Sequence, residues 1–212
     1  MDNLDKLNKM VELQDSINKK VHPEWSTQNY PWHQAIYVEA SEMLSHYGYK
    51  WWAKKGPDIP QVKLELVDIY HFAISLLYEL CGGNLVVMSY DLVPPQKLRT
   101  GSFEDCCDSL IAMAGQRVFS TSSFFGCMKA IDMDFDELYR LYIAKNVLNN
   151  FRQDYGYKSG NYIKIWDGKE DNEVLYDLAF KLNADSESYM EDLYKGLEKA
   201  YPSPEKQLTL EV

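Results

Sequence analysis

Between Pro60 and Leu80 the chain reads as a helix that is apolar on most of its circumference, yet it carries Glu65, Asp68 and His71. Such a segment belongs at the centre of a helical fold, because turning any flank to water would expose aliphatic side chains. Asp58 and Pro60 open it and Gly82-Gly83 close it, as helix ends require. The helical period recurs on both sides. Leu4, Leu7, Met10, Val11, Leu13 and Ile17 mark an amphipathic helix over residues 4–21, ended by Pro23. A second runs over 32–47, with Gly48 in the capping position. Ser102-Phe103-Glu104-Asp105 has the pattern of a capping box before a helix ending near Phe119, and a short helical run covers 122–130. Asp134 and Glu137 introduce a helix reaching Arg152, and two terminal helices are predicted near 173–182 and 186–200. Residues 155–172 break the rhythm, and the tail from Pro202 reads as loose. With no alternating strand series and no internal repeat, the expected fold class is all-α. Antiparallel helices joined by short loops would then form a single domain over 1–212.

Charge narrows the partners. Lys plus Arg total 22 against 32 for Asp plus Glu, a formal charge of −10 that repels a phosphate backbone, so nucleic acid is not expected as a partner. A small phosphorylated ligand escapes this argument, because divalent cations held by carboxylates invert the charge it meets. Cys81, Cys106, Cys107 and Cys127 lack C-x-x-C spacing and suit a reducing compartment. Residues 1–20 lack the continuous apolar stretch of a secretory signal, and 66–81 fall short of the ~20 apolar residues of a membrane span. The expectation is a soluble cytoplasmic protein without membrane association.

Two carboxylate pairs stand out. Glu39 and Glu42 on the second predicted helix, and Glu65 and Asp68 on the third, are each spaced i, i+3 and so share a helical face. A single E-x-x-E is ordinary surface chemistry, and either pair alone fits a solvated face. Two pairs on consecutive helices, set among apolar neighbours, repel one another and resist burial unless a cation lies between them. Oxygen-only ligation selects a hard ion, and Mg²⁺ is the usual one where phosphate completes the coordination. A different chemistry adds His71 and His46 to the same carboxylates and points to a di-iron oxidase of the ferritin-like type. Here, however, the spacings are D-x-x-H and E-x-x-x-H rather than paired E-x-x-H.

From Lys145 to Asn172 the local charge reverses, with Lys145, Arg152, Lys158, Lys164 and Lys169 in an otherwise acidic chain. Lys145, Asn149 and Arg152 share one helical face, and Gly156 and Gly160 free the following loop for a close approach. Cations near a helix C-terminus followed by a solvated loop would account for this equally well. Beside the carboxylates, phosphate is the better reading, since Arg forks onto phosphate oxygens and Lys supplies a point charge. No G-x-x-x-x-G-K-[ST] is present, so any phosphoryl chemistry proceeds without a P-loop.

These residues resemble the dimeric all-α dUTP diphosphatases of the all-α NTP pyrophosphatase superfamily. The likeness runs through Leu13-Gln14-Asp15-Ser16-Ile17-Asn18, the E-x-x-E of Glu39 and Glu42, Lys50-Trp51-Trp52, Glu65 and Asp68 with His71-Phe72, and Gly156-Tyr157-Lys158 through Glu170-Asp171-Asn172. It implies an antiparallel helical bundle that forms a homodimer and hydrolyses dUTP to dUMP and diphosphate, and dUDP as well, by water attack at the α-phosphate. It further implies Mg²⁺ on Glu39, Glu42, Glu65 and Asp68, with Glu42, then Glu39, as the water-activating base. Gln14 and Asn18 would read uracil through their amides, Trp52 would line the base pocket, and His71 would face the nucleoside. Lys145, Asn149, Arg152, Tyr157, Lys158, Lys164 and Asn172 would hold the phosphates. Residues 84–130 would be mobile helices and dimer surface. A relative acting on another deoxynucleotide, such as dCTP, is the nearest alternative.

Overall fold

The computed structural model describes residues 1–53, 56–98, 101–184 and 186–202. Apart from its first residue, the tail expected to be loose from Pro202 lies outside the described residues. Nine α-helices and one two-stranded hairpin make up the described chain: α1 (Asn3–Val21), α2 (Trp32–Tyr47), α3 (Ile59–Cys81), α4 (Leu85–Leu92), α5 (Phe103–Gly115), α6 (Thr121–Ala130), α7 (Phe135–Asp154), β1 (Ile165–Trp166), β2 (Lys169–Glu170), α8 (Asp171–Lys181) and α9 (Tyr189–Ala200). The fold is all-α. Within it the chain divides into two compact units, Met1–Tyr142 and Ile143–Val212, and the boundary falls inside α7.

The helix ends form where local chemistry dictates. Asp2 and Asp5 close a reciprocal capping box on α1, Asp58 accepts from the Gln61 amide at the start of α3, and Ser102 accepts from the Asp105 amide at the start of α5. Gly48 and Gly82 end α2 and α3 in the left-handed region, at φ 90° and 58°. Helix α5 stops at Gly115, short of Phe119, because Arg117 turns to φ 66° and the Val118 amide bonds back to the Met113 carbonyl. The turn folds Phe119 into the core instead.

In the first unit α3 is the axle. Val62, Leu66, Val67, Ile69, Ala73 and Ile74 are fully buried, and Tyr70 stacks on Phe124 at 5.4 Å. Helix α2 lies antiparallel against α3, and the Asp58 amide donates to the His46 carbonyl at 2.9 Å, tying the two ends of the connecting loop together. That hairpin sets Glu39 and Glu42 facing the first turns of α3. Residues 84–130 supply α4, α5 and α6, and Phe103, Cys107, Leu110, Phe124 and Cys127 among them are buried core.

The second unit gathers aromatic rings around Phe151. Tyr155, Tyr162, Trp166, Tyr194 and Tyr201 all lie with centroids 4.1–6.4 Å from it. The hairpin was not anticipated. Asp167 and Gly168 both take positive φ, 48° and 83°, in the two-residue turn that Asp-Gly favours.

Candidate functional site

Glu39, Glu42 and Glu65 each offer a carboxylate oxygen, and the three lie within 4.8 Å of one another. Two α2 carboxylates one turn apart reach this point because α2 runs against α3. Glu65 is 6% exposed, while Glu39 is half-buried and Glu42 open to water. Asp68 lies outside the trio: its side chain is one methylene shorter than glutamate, and it sits a turn farther along α3. On the other flank His46 Nε2 stands 3.5 Å from Glu65 Oε1. Three carboxylates at this spacing repel, and the cost rises with burial, so the cluster fits a bound cation better than it fits itself. The donors suit a hard ion.

Behind the carboxylates lies a buried polar network. Gln14, Asn18, His71, Ser75 and Tyr142 are each at most 7% exposed. Gln14 Oε1 accepts from the Tyr142 hydroxyl at 2.8 Å and meets His71 Nδ1 at 2.6 Å, so the imidazole carries its proton on Nδ1. Burial pushes the Tyr142 phenol well above its ordinary pKa, which keeps it a donor. Gln14 Nε2 donates to Asn18 Oδ1 at 3.1 Å and to Ser75 Oγ at 3.0 Å, and Asn18 Nδ2 donates to the same Oγ at 2.9 Å. The His71 ring stacks on Tyr142 at 3.8 Å, inside the network.

Asn18 also lines an apolar cavity of about 560 Å³, walled by Trp25, Tyr30, Trp32, Val38 and Phe72. Trp32 and Phe72 lie stacked across 6.2 Å. Trp52 is not among the lining residues; it is 62% exposed in the α2–α3 loop and packs edge-on against Trp51 and Tyr49. Trp25, Tyr30 and Trp32 carried no functional reading in the sequence, although two tryptophans and a tyrosine within eight residues of a proline turn were the available signal.

In the second unit Arg152 and Tyr162 meet on Asp171, which is fully buried at the start of α8. Arg152 grips it through Nε and Nη2, both at 2.9 Å, and the Tyr162 hydroxyl adds a third bond at 2.8 Å. Burial and this bond raise the Tyr162 pKa, so it remains a donor. Lys145, 3% exposed, donates to Asn172 Oδ1 at 3.0 Å, and Arg152 Nη2 reaches the same oxygen at 3.4 Å. Tyr157 lies beneath the Arg152 guanidinium at 5.8 Å. Asn149 is half-buried on the same face of α7. Lys158 and Lys164 are exposed, and Lys164 pairs with Glu170 at 3.4 Å. The role of Asp171 as the anchor was not read from sequence, because Arg152 and Asp171 meet only through the fold.

No helix among the described residues is long and apolar enough to cross a membrane. No curated protein matches the chain. A family model described as dUTPase matches residues 6–157, a stretch that holds the carboxylate trio, the amide network and the aromatic cavity. By that match the chain belongs to the all-α dUTPase family and is a dUTP diphosphatase.

Proposed function

We propose that the enzyme converts dUTP to dUMP and diphosphate, and dUDP to dUMP and phosphate, with Mg²⁺ as its metal and water attacking the α-phosphate. What carries the reading is the convergence of Glu39, Glu42 and Glu65, three carboxylates that each bring an oxygen within 4.8 Å of the others. Enzymes of this kind generally depend on a divalent metal. In this reading Glu39, Glu42 and Glu65 hold the ion, and Asp68 joins them. The ion supplies charge neutralisation at the phosphates when bound. Glu42, open to water at the rim, takes the proton of the attacking water, and Glu39 is the next choice. The base enters the aromatic cavity, where Asn18 meets its edge with Gln14 and His71 behind it, and Trp52 closes over it. Lys145, Asn149, Arg152, Tyr157, Lys158, Lys164 and Asn172 serve the phosphates.

The enzyme works as a homodimer, as the sequence likeness implies, with residues 84–130 contributing to the contact. Its cysteines are free and three of them buried, which suits a cytoplasmic enzyme.

Product analysis with each deoxynucleoside triphosphate, with and without Mg²⁺, tests the proposal. The expected outcome is dUMP and diphosphate from dUTP, only when metal is present. Hydrolysis of dTTP or dCTP as fast as dUTP, or unchanged turnover after Glu65→Ala, overturns it.

A further inference from the structure

Ser75 sits on α3 one turn beyond His71 and is fully buried. Its single hydroxyl proton goes to the His71 carbonyl at 3.1 Å, so both of its lone pairs must be met by donors. Those donors are Gln14 Nε2 at 3.0 Å and Asn18 Nδ2 at 2.9 Å. A side-chain amide has nearly the same shape in its two flipped orientations, and Ser75 admits only the one that turns nitrogen toward it.

The consequences differ for the two amides. Gln14 spends both hydrogens on Asn18 and Ser75, and its carbonyl meets His71 Nδ1 and the Tyr142 hydroxyl, whose one proton is shared with the Met10 carbonyl, so each polar atom of this amide faces a partner in the protein. Asn18 uses one hydrogen on Ser75 and one lone pair on Gln14. One N–H and one lone pair of Asn18 are left over, and Asn18 borders the aromatic cavity. Uracil presents an acceptor at O4 beside a donor at N3, which this pair matches. Cytosine in the same pose presents a donor at N4 beside an acceptor at N3, which only the flipped amide would match.

We propose that Ser75 is a specificity-determining positioning residue, which locks the Asn18 amide in the orientation that accepts a uracil edge and rejects a cytosine edge. The inference rests on the reading that the base occupies this cavity. A site built around one hydrogen-bond pattern discriminates strongly, because the wrong partner leaves buried groups opposed and unpaired. Ser75→Ala removes the acceptor of the Asn18 amide nitrogen and leaves the bond from Gln14 Nε2 as the one remaining hold on its orientation, which weakens the preference for a uracil edge.

The test is kcat/KM for dUTP and dCTP in the wild type, Ser75→Ala, Ser75→Thr, Asn18→Ala and the Asn18→Ala/Ser75→Ala pair. In Ser75→Ala the dUTP-to-dCTP ratio is expected to fall roughly tenfold or more, mainly through KM, while Ser75→Thr, which keeps the hydroxyl, restores it. In the Asn18→Ala background the second substitution is expected to leave the ratio where it was. Ser75→Cys, similar in size and only a weak acceptor, carries the same expectation as Ser75→Ala and serves if the latter does not fold. A discriminating wild type whose ratio survives Ser75→Ala, or a drop that persists without Asn18, overturns the lock alone. A wild type that takes dCTP as readily as dUTP overturns the base-site reading with it.

Discussion

The two compact units treat charge in opposite ways. In the first, Glu39, Glu42 and Glu65 are like charges drawn within 4.8 Å of one another, and a cation among them would relieve their mutual repulsion. In the second, Asp171 is fully buried but receives two bonds from Arg152 and one from Tyr162, so its charge is matched inside the protein. In the proposed reading the first cluster gathers like charges around an added ion, and the second pairs opposite charges within the fold. Function should therefore be most sensitive at the first and stability most sensitive at the second.

The sharpest break of this comparison is at Glu65. Glu65→Ala is expected to lower kcat for dUTP by about 10³-fold, on the scale of losing a principal electrostatic contact to the reacting group. Circular dichroism should show the fold intact. Comparable turnover in the variant would mean that the trio is an acidic patch and nothing more. Asp171→Ala is the counterpart in the second unit. Removing one partner of a buried pair leaves Arg152, with a side chain 14% exposed, without its matching charge, at a cost of about 3–5 kcal/mol. Urea denaturation read by tryptophan fluorescence checks the size, and hydrogen exchange should locate the loss within residues 143–202.

The sequence showed these two clusters unequally, and the reason is distance along the chain. Glu39, Glu42, Glu65 and Asp68 announce themselves through i, i+3 spacing, a local property of helices, and the ends of α3 are equally local in Asp58, Pro60 and Gly82. Periodicity sets Asp68 beside Glu65 on α3, however, and the three oxygens that converge within 4.8 Å are those of Glu39, Glu42 and Glu65. The partners that orient Gln14, Ser75 and Tyr142, lie 61 and 128 residues away, so that network is not legible from local spacing. Arg152 and Asp171 are likewise brought together only by the turn and hairpin between them. Helix α4 escaped notice for a different reason: Leu85–Leu92 is a run of only eight residues between a Gly-Gly and a Pro-Pro break. It is helical because Asn84 caps it and because Met88 and Leu92 are fully buried. The hairpin, by contrast, was signalled by Asp167-Gly168 and overlooked among the glycines.

Metal addition should separate the units at the next level of effect. At a Mg²⁺ concentration 100 times its dissociation constant, binding to the folded state alone stabilises by about 2.7 kcal/mol. Thermal melts with and without EDTA are expected to show that rise in the wild type and to lose it in Glu65→Ala, with Asp171→Ala retaining it. Stabilisation by Mg²⁺ that persists without Glu65 would move the metal elsewhere.

The smallest effect is the most pointed, because the two units should answer it with opposite signs. In EDTA, Glu42→Gln removes one of three repelling charges from a position open to water and keeps the side-chain volume, so the metal-free protein should gain about 0.2–0.5 kcal/mol, the scale of a like-charge pair on a helix. Asp171→Asn also neutralises a carboxylate at constant volume, yet there the charge is what holds Arg152 and accepts from Tyr162, so the same measurement should show a loss. With saturating Mg²⁺ the sign at Glu42 should reverse, since the neutral amide is the poorer ligand, while the sign at Asp171 should not change. A Glu42→Gln protein that is less stable than wild type in EDTA would mean that the three carboxylates are already balanced by the fold, and the contrast between the two units would vanish.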